Sequence, residues 1–149
     1  MKAVIQRVSH AACMVDQEMT GEIGRGYMIL VGFCKDDNEK TVQKMVEKIV
    51  RLRIFEDENG KMNRSILEVN GAVLSISQFT LYANAKKGNR PSFIEAAKPD
   101  ISRPLYEMFN EKLAHYVPVQ TGIFGADMKI SLVNDGPVTL CLDSKELFQ

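Results

Sequence analysis

Tyr27-Met28-Ile29-Leu30-Val31-Gly32-Phe33 is an unbroken apolar run, entered from Gly24-Arg25-Gly26 and followed by Asp36-Asp37-Asn38-Glu39. Such a run is typical of a strand buried on both faces, so other elements must cover it from either side. The next segment supplies one cover. Val42, Met45, Val46, Ile49 and Leu52 recur at helical spacing, which predicts a helix packing one face on the sheet. Asp36 and Glu39 stand at capping-box spacing at its start, and Arg51 and Arg53 suit the negative end of its dipole.

The remaining elements are predicted in the same way. Lys2 to Val8 reads as a first strand with Ala3, Ile5 and Arg7 on one face. An arginine sharing a face with isoleucine needs partners for five donors if buried; the simpler reading places Arg7 at the strand's wet end. Cys13–Asp16 and Met19–Ile23 form a short hairpin, and Asn70-Gly71 signals another. A second helix carries Leu105, Met108, Phe109, Leu113 and Tyr116 as its apolar stripe, with Asp100 or Ser102 as cap and Pro104 in its first turn. Two closing strands, Met128–Val133 and Val138–Leu142, are separated by Asn134-Asp135-Gly136-Pro137. Residues 1–149 are thus expected to form one α/β domain with more strands than helices.

Composition excludes several function classes. Lys and Arg total 19 against 19 Asp and Glu, so a whole-protein basic field is absent and any polyanion contact must be a local patch. No apolar run approaches membrane-spanning length, and Met1-Lys2-Ala3-Val4 enters a strand rather than a signal peptide. Cys13, Cys34 and Cys141 are odd in number and widely spaced, which suits free thiols in a reducing cytoplasm.

Ser75-Ile76-Ser77-Gln78-Phe79-Thr80-Leu81 concentrates the available chemistry. It begins as a strand and then gathers Ser77, Gln78 and Thr80 beside Phe79. A strand leaving its sheet here would present hydroxyls, an amide and backbone N–H groups to an oxyanion or a ribose-ester end; solvated strand-face hydroxyls are the plainer reading. Directly after it comes Asn84-Ala85-Lys86-Lys87-Gly88-Asn89-Arg90-Pro91-Ser92-Phe93, the only concentrated positive patch. Lys86, Lys87 and Arg90 could grip a phosphate backbone there, or belong to an ordinary solvated loop. The two histidines, His10 and His115, are not marked as bases, and the chain lacks a nucleophile elbow, metal-ligand spacing and a P-loop. An enzyme of this composition must work by positioning and backbone dipoles. That suffices only for an activated substrate, such as an ester with its own neighbouring hydroxyl.

Ser77-Gln78-Phe79-Thr80-Leu81 and Gly136-Pro137-Val138-Thr139 resemble the two signatures of the D-aminoacyl-tRNA deacylases of bacterial and eukaryotic type. The likeness runs along essentially the whole chain, including Gly21–Gly26, Asn89–Phe93 and Gly122-Ile123-Phe124-Gly125-Ala126. Gln17 departs from it at a turn where many relatives have glycine.

The resemblance implies mostly antiparallel, curved sheets forming a partial β-barrel, with two main helices packed on one side. It implies a cytoplasmic homodimer, without cofactor or metal, that hydrolyses the ester between a D-amino acid and the terminal adenosine of tRNA. By the same resemblance, a cis Gly136-Pro137 peptide enters the partner's pocket and Arg7 holds that loop. Ser77 and Gln78 would shape the adenosine pocket, while N–H groups around Gln78 and Phe79 hold the oxyanion and the ribose 2′-OH assists. Thr80 is the competing candidate as a direct nucleophile. Glycyl-tRNA, including tRNA(Ala) mischarged with glycine, is expected to be cleaved too, since glycine has no side chain to reject. Two alternatives stay open: an editing homologue with a trans Gly-Pro, and a non-catalytic tRNA-end or nucleotide-binding module.

Overall fold

Strand β1, Lys2–Val15, is the axis on which the fold is assembled, and the computed structural model describes residues 1–148 around it. One edge of β1 pairs antiparallel with β3 (Gly26–Gly32) along its first half and with β2 (Glu18–Ile23) along its second. The other edge pairs antiparallel with β8, Lys129–Asp143. Beyond β3 the sheet continues in parallel through β6 (Ala72–Ser77) to β7 (Val119–Thr121). A separate small ribbon joins β4 (Phe55–Glu56) to β5 (Met62–Arg64). The sheet is mostly antiparallel and curls towards a barrel, as expected, with parallel pairings only at β3–β6 and β6–β7, where the two long helices act as crossovers.

These helices are α1, Glu39–Val50, and α2, Pro99–Ala114; a short α3, Ser144–Phe148, ends the described chain. Val42, Met45, Val46 and Ile49 of α1 and Leu105, Phe109 and Leu113 of α2 share one core with Ala3, Ile5, Tyr27, Ile29 and Val31. Fully burying one such side chain is worth roughly 1.5–3 kcal/mol relative to leaving it exposed. On the opposite face, Val8, Cys13, Met28, Leu74 and Ile76 form a second core under Ile130 and Leu132. The apolar run of β3 thus serves both cores. The sheet curls enough to bring β2 against β6 and β7. A Cβ on Gly21 would lie 2.9 Å from the Thr121 carbonyl and 3.3 Å from Leu74 Cδ1, so only glycine permits this approach.

Several local expectations change. β1 extends from the expected Val8 to Val15, because β8 supports its whole second edge. The two closing strands are one strand interrupted by a bulge. Asn38, rather than Asp36, caps α1 by accepting the Thr41 N–H at 3.2 Å, while Asp37 accepts the Cys34 N–H. Asn70-Gly71 closes a turn into a parallel strand, not a hairpin. Pro99 opens α2 at Lys98 without a side-chain cap, so Pro104 lies inside the helix and Tyr116 beyond it. Arg7 is buried at 5% exposure, not at a wet end. Among the described residues, no helix is long and apolar enough to cross a membrane.

Candidate active site

β6 leaves the sheet after Ser77, and the chain turns at Gln78 into a 3-10 helix over Phe79–Tyr82. The turn is pinned from below. The Gln78 N–H donates to the Val31 carbonyl at 2.7 Å, and Gly32 leaves room for it: a Cβ there would meet the Gln78 carbonyl at 2.7 Å. Gln78 therefore has no main-chain donor to offer an oxyanion, contrary to the expectation for that group. The N–H groups of Phe79 and Thr80 begin the 3-10 helix, where no preceding turn can accept from them. The Gln78 side-chain amide donates to Thr80 Oγ1 at 2.5 Å, tying the two polar side chains together.

Ser77, Gln78 and Phe79 line one wall of a cavity of about 630 Å³. Other walls come from Val31–Phe33, from Ala96–Ser102 at the start of α2, and from the Phe124–Met128 segment. This is the size and largely apolar character of a small-ligand site. Behind it, the Tyr106 hydroxyl donates to the Ser75 carbonyl at 2.7 Å, and burial raises that phenol's pKa. No histidine lines the cavity. Its single carboxylate, Asp127, is exposed and paired with Lys129 Nζ at 3.0 Å. His10 is exposed and bonded to Glu22 at 2.8 Å, and His115 ends α2. Among the described residues, neither hydroxyl at the turn is hydrogen-bonded to a side-chain base.

Beside the cavity, the basic loop is closed by reciprocal Asn84–Ser92 backbone bonds of 2.8 Å. Lys86, Lys87 and Arg90 line a small cleft there with Asn84 and Ser92. Phe93 follows at once and meets Phe79 edge-on, ring centroids 5.1 Å apart, and both rings face the cavity. Phe93 and the wall at Ala96–Ser102 were not singled out from the sequence as site residues. Gly32, interrupting an apolar strand, was the available sign of a close backbone approach.

Gly136 and Pro137 lie elsewhere. Gln6 pairs with Thr139 and Val8 with Asn134, so Arg7 alone stands opposite four residues, Asp135–Val138. The excess is extruded as an exposed bulge in which the Gly136–Pro137 peptide is cis. Asn134 Nδ2 closes its base by donating to the carbonyls of Arg7 (3.1 Å) and Val138 (3.0 Å). From beneath, Arg7 Nε donates to the Asp135 carbonyl at 3.1 Å while its other arm reaches the Ile54 carbonyl at 2.6 Å.

Bulge and cavity do not meet within one chain. Arg7 pairs with Tyr27, whereas the cavity lies at Val31, which pairs with Ala3 and Ser77. None of Asp135–Val138 lines the cavity, although Ile130 of the same strand does, and Arg7 and Ala3 stand four residues apart on β1, about 13 Å at a strand's rise.

A sequence model of the family described as D-Tyr-tRNA(Tyr) deacylase matches residues 4–143. D-aminoacyl-tRNA deacylases of Limosilactobacillus reuteri, strain DSM 20016, and of L. reuteri subsp. reuteri, strain JCM 1112, are each 58% identical over 141 residues. The match spans 94% of this chain and 97% of each relative. Among solved structures, one titled c-Myc DNA Unwinding Element Binding Protein superposes with a TM-score of 0.90 at 41% identity, covering 96% of this chain and 98% of that one. A probable eukaryotic D-amino acid tRNA deacylase shares the fold at a TM-score of 0.82 and 17% identity, over 95% of this chain and 97% of its own.

Proposed function

The chain belongs to the D-Tyr-tRNA(Tyr) deacylase family, and from that premise we propose a homodimeric chiral filter that frees tRNA of D-amino acids in the cytoplasm. The protein is an aminoacyl-tRNA ester hydrolase. The observation that carries the dimeric reading is the separation of bulge and cavity. A cavity gated by Gly136 and Pro137 must receive them from a second copy, because the chain's own pair is not among the residues that line it.

In this reading the partner's Gly136 and Pro137 present main chain where an L side chain would point. Rejection is steric, so it acts on every L-residue, while the D side chain points away. About 10⁴-fold rejection needs only about 5–6 kcal/mol, within reach of a rigid clash. Glycyl esters, including glycine mischarged on tRNA(Ala), escape the filter and are cleaved. Ser77 and Gln78 wall the terminal adenosine. The ribose 2′-OH assists attack, and the Phe79 N–H, with that of Thr80, faces the developing oxyanion. The absence of a base beside Thr80 supports substrate assistance over a threonine nucleophile. Lys86, Lys87 and Arg90 hold backbone phosphates of the acceptor end.

The test charges one tRNA separately with D-tyrosine and L-tyrosine and incubates each with catalytic amounts of protein. Loss of the D-ester with the L-ester spared is expected. Loss of both would remove the Gly136–Pro137 filter. Loss of neither would leave a tRNA-end binding module without turnover.

A further inference from the structure

Phe79 is a large aromatic residue with 57% of its surface exposed, and the recesses near it and its partner Phe93 give that exposure a use. On one side lies the cavity, lined by Phe79 and Phe93 together. On the other lies the basic cleft, whose wall residue Ser92 immediately precedes Phe93. The edge-on contact at 5.1 Å props the Phe79 ring, and the Asn84–Ser92 bridge fixes the cleft relative to both. Cavity, aromatic pair and cationic cleft are therefore contiguous, joined at Ser92-Phe93. None of Lys86, Lys87 and Arg90 forms a salt bridge among the described residues, so these cations are available to phosphate.

Single-stranded nucleic acid is bound by this combination: cations follow the phosphates while bases stack on exposed aromatic faces. Resting on the acceptor-end reading above, we propose that the Phe79–Phe93 ridge is a stacking platform for the unpaired nucleotide preceding the terminal adenosine. The terminal nucleoside enters the cavity, the preceding base lies on Phe79, and the phosphates beyond it run into the cleft. The ridge thereby recognises a strand end rather than a free aminoacyl nucleoside. A base of any identity satisfies it, since every base has a flat π-face.

The test uses amide-linked, non-hydrolysable D-tyrosyl analogues of three kinds: adenosine alone, the cytidylyl-adenosine dinucleotide, and the same dinucleotide lacking its cytosine. Wild-type protein should bind the intact dinucleotide roughly 5- to 150-fold more tightly than the abasic one. Phe93→Leu should shrink that ratio towards unity, read as a ratio because Phe93 also lines the cavity that takes the adenosine; Phe93→Tyr should retain the ratio. Equal binding of intact and abasic dinucleotides by the wild type would overturn the platform. So would Phe93→Leu weakening all three analogues alike, or changing the oligomeric state in sedimentation, since the ridge would then be cavity wall or subunit contact. Turnover of the matching esters is measured in parallel. Failure there removes the hydrolytic reading, whereas the binding ratio judges the platform by itself.

Discussion

Arg7 Nε donates to the main-chain carbonyl of Asp135 at 3.1 Å, so a side chain in the middle of β1 holds the exposed bulge of β8 from beneath. Its second arm, on the Ile54 carbonyl, ties the bulge to the segment after α1. Lysine, with all its donors on one nitrogen, lacks the spread of the guanidinium fork that reaches both carbonyls. Arg7→Lys should therefore loosen the Gly136–Pro137 loop, lowering the ratio of D- to L-tyrosyl-tRNA cleavage at least tenfold. Stability should fall by about 1–3 kcal/mol as one buried carbonyl loses its donor. Steady-state kcat/KM on both esters checks this; an unchanged ratio would separate Arg7 from selectivity.

Gly32 tests the turn at Gln78. A Cβ at Gly32 would lie 2.7 Å from the Gln78 carbonyl, and backbone cannot swing aside as a side chain can. Gly32→Ala should displace Gln78 and Phe79 and lower kcat by on the order of 10²-fold. Overpacking should cost about 1–3 kcal/mol, leaving a folded protein. Wild-type kcat in a folded Gly32→Ala protein would contradict the assigned place of the turn in catalysis.

Thr80 accepts the Gln78 amide but has no base beside it. Thr80→Val should keep turnover within about tenfold of wild type, since only one neutral hydrogen bond is lost. Complete loss of turnover with ligand binding intact, rescued by Thr80→Ser, would make the threonine hydroxyl the nucleophile.

Asp16 and Gln17 form the two-residue turn between β1 and β2, at φ of 50° and 66°. Both angles belong to the left-handed region that favours glycine. Gln17→Gly should stabilise the protein by roughly 0.5–1 kcal/mol, after allowing for glycine's greater freedom when unfolded. Thermal denaturation should show Tm rising by about 1–4 °C, with kcat/KM unaltered. A lower Tm would mean that the Gln17 side chain contributes more than its backbone strain costs.

Burial raises the phenols of Tyr27, Tyr82 and Tyr106 above their ordinary value of 10.0. For a raised pKa, the stabilising contribution is whole below the unfolded value and is lost as pH climbs towards the folded one. Stability should thus hold up to about pH 10 and fall above it. These phenolates should appear in absorbance together with the loss of circular dichroism. Their ionisation while the fold stayed intact would contradict their burial.

Much of the architecture was legible because its causes are local. The apolar run at Tyr27–Phe33 and the helical stripe from Val42 to Ile49 are periodic, and periodicity survives any tertiary arrangement. Caps were less legible: Asp36, Asp37 and Asn38 all suit an N-terminus, and the choice fell to Asn38 because Asp37 is drawn to the Cys34 N–H. The Gln78 N–H could not be discounted as a donor from sequence, since its acceptor, Val31, is far away along the chain.

Legible in the chain alone were the buried run of β3, the two long helices, the concentration of polar groups at Ser77–Thr80, the basic loop and the family, since each depends on residues close in the chain or on a motif. Long-range packing was needed to put Arg7 beneath Asp135, to gather the cavity walls from remote segments, and to leave the Gly136–Pro137 bulge outside that cavity. Register is the physical reason. Which residue faces which across two strands is chosen by the packing of both cores at once, and shifting it by one residue would move each side chain to the opposite face and into the wrong core.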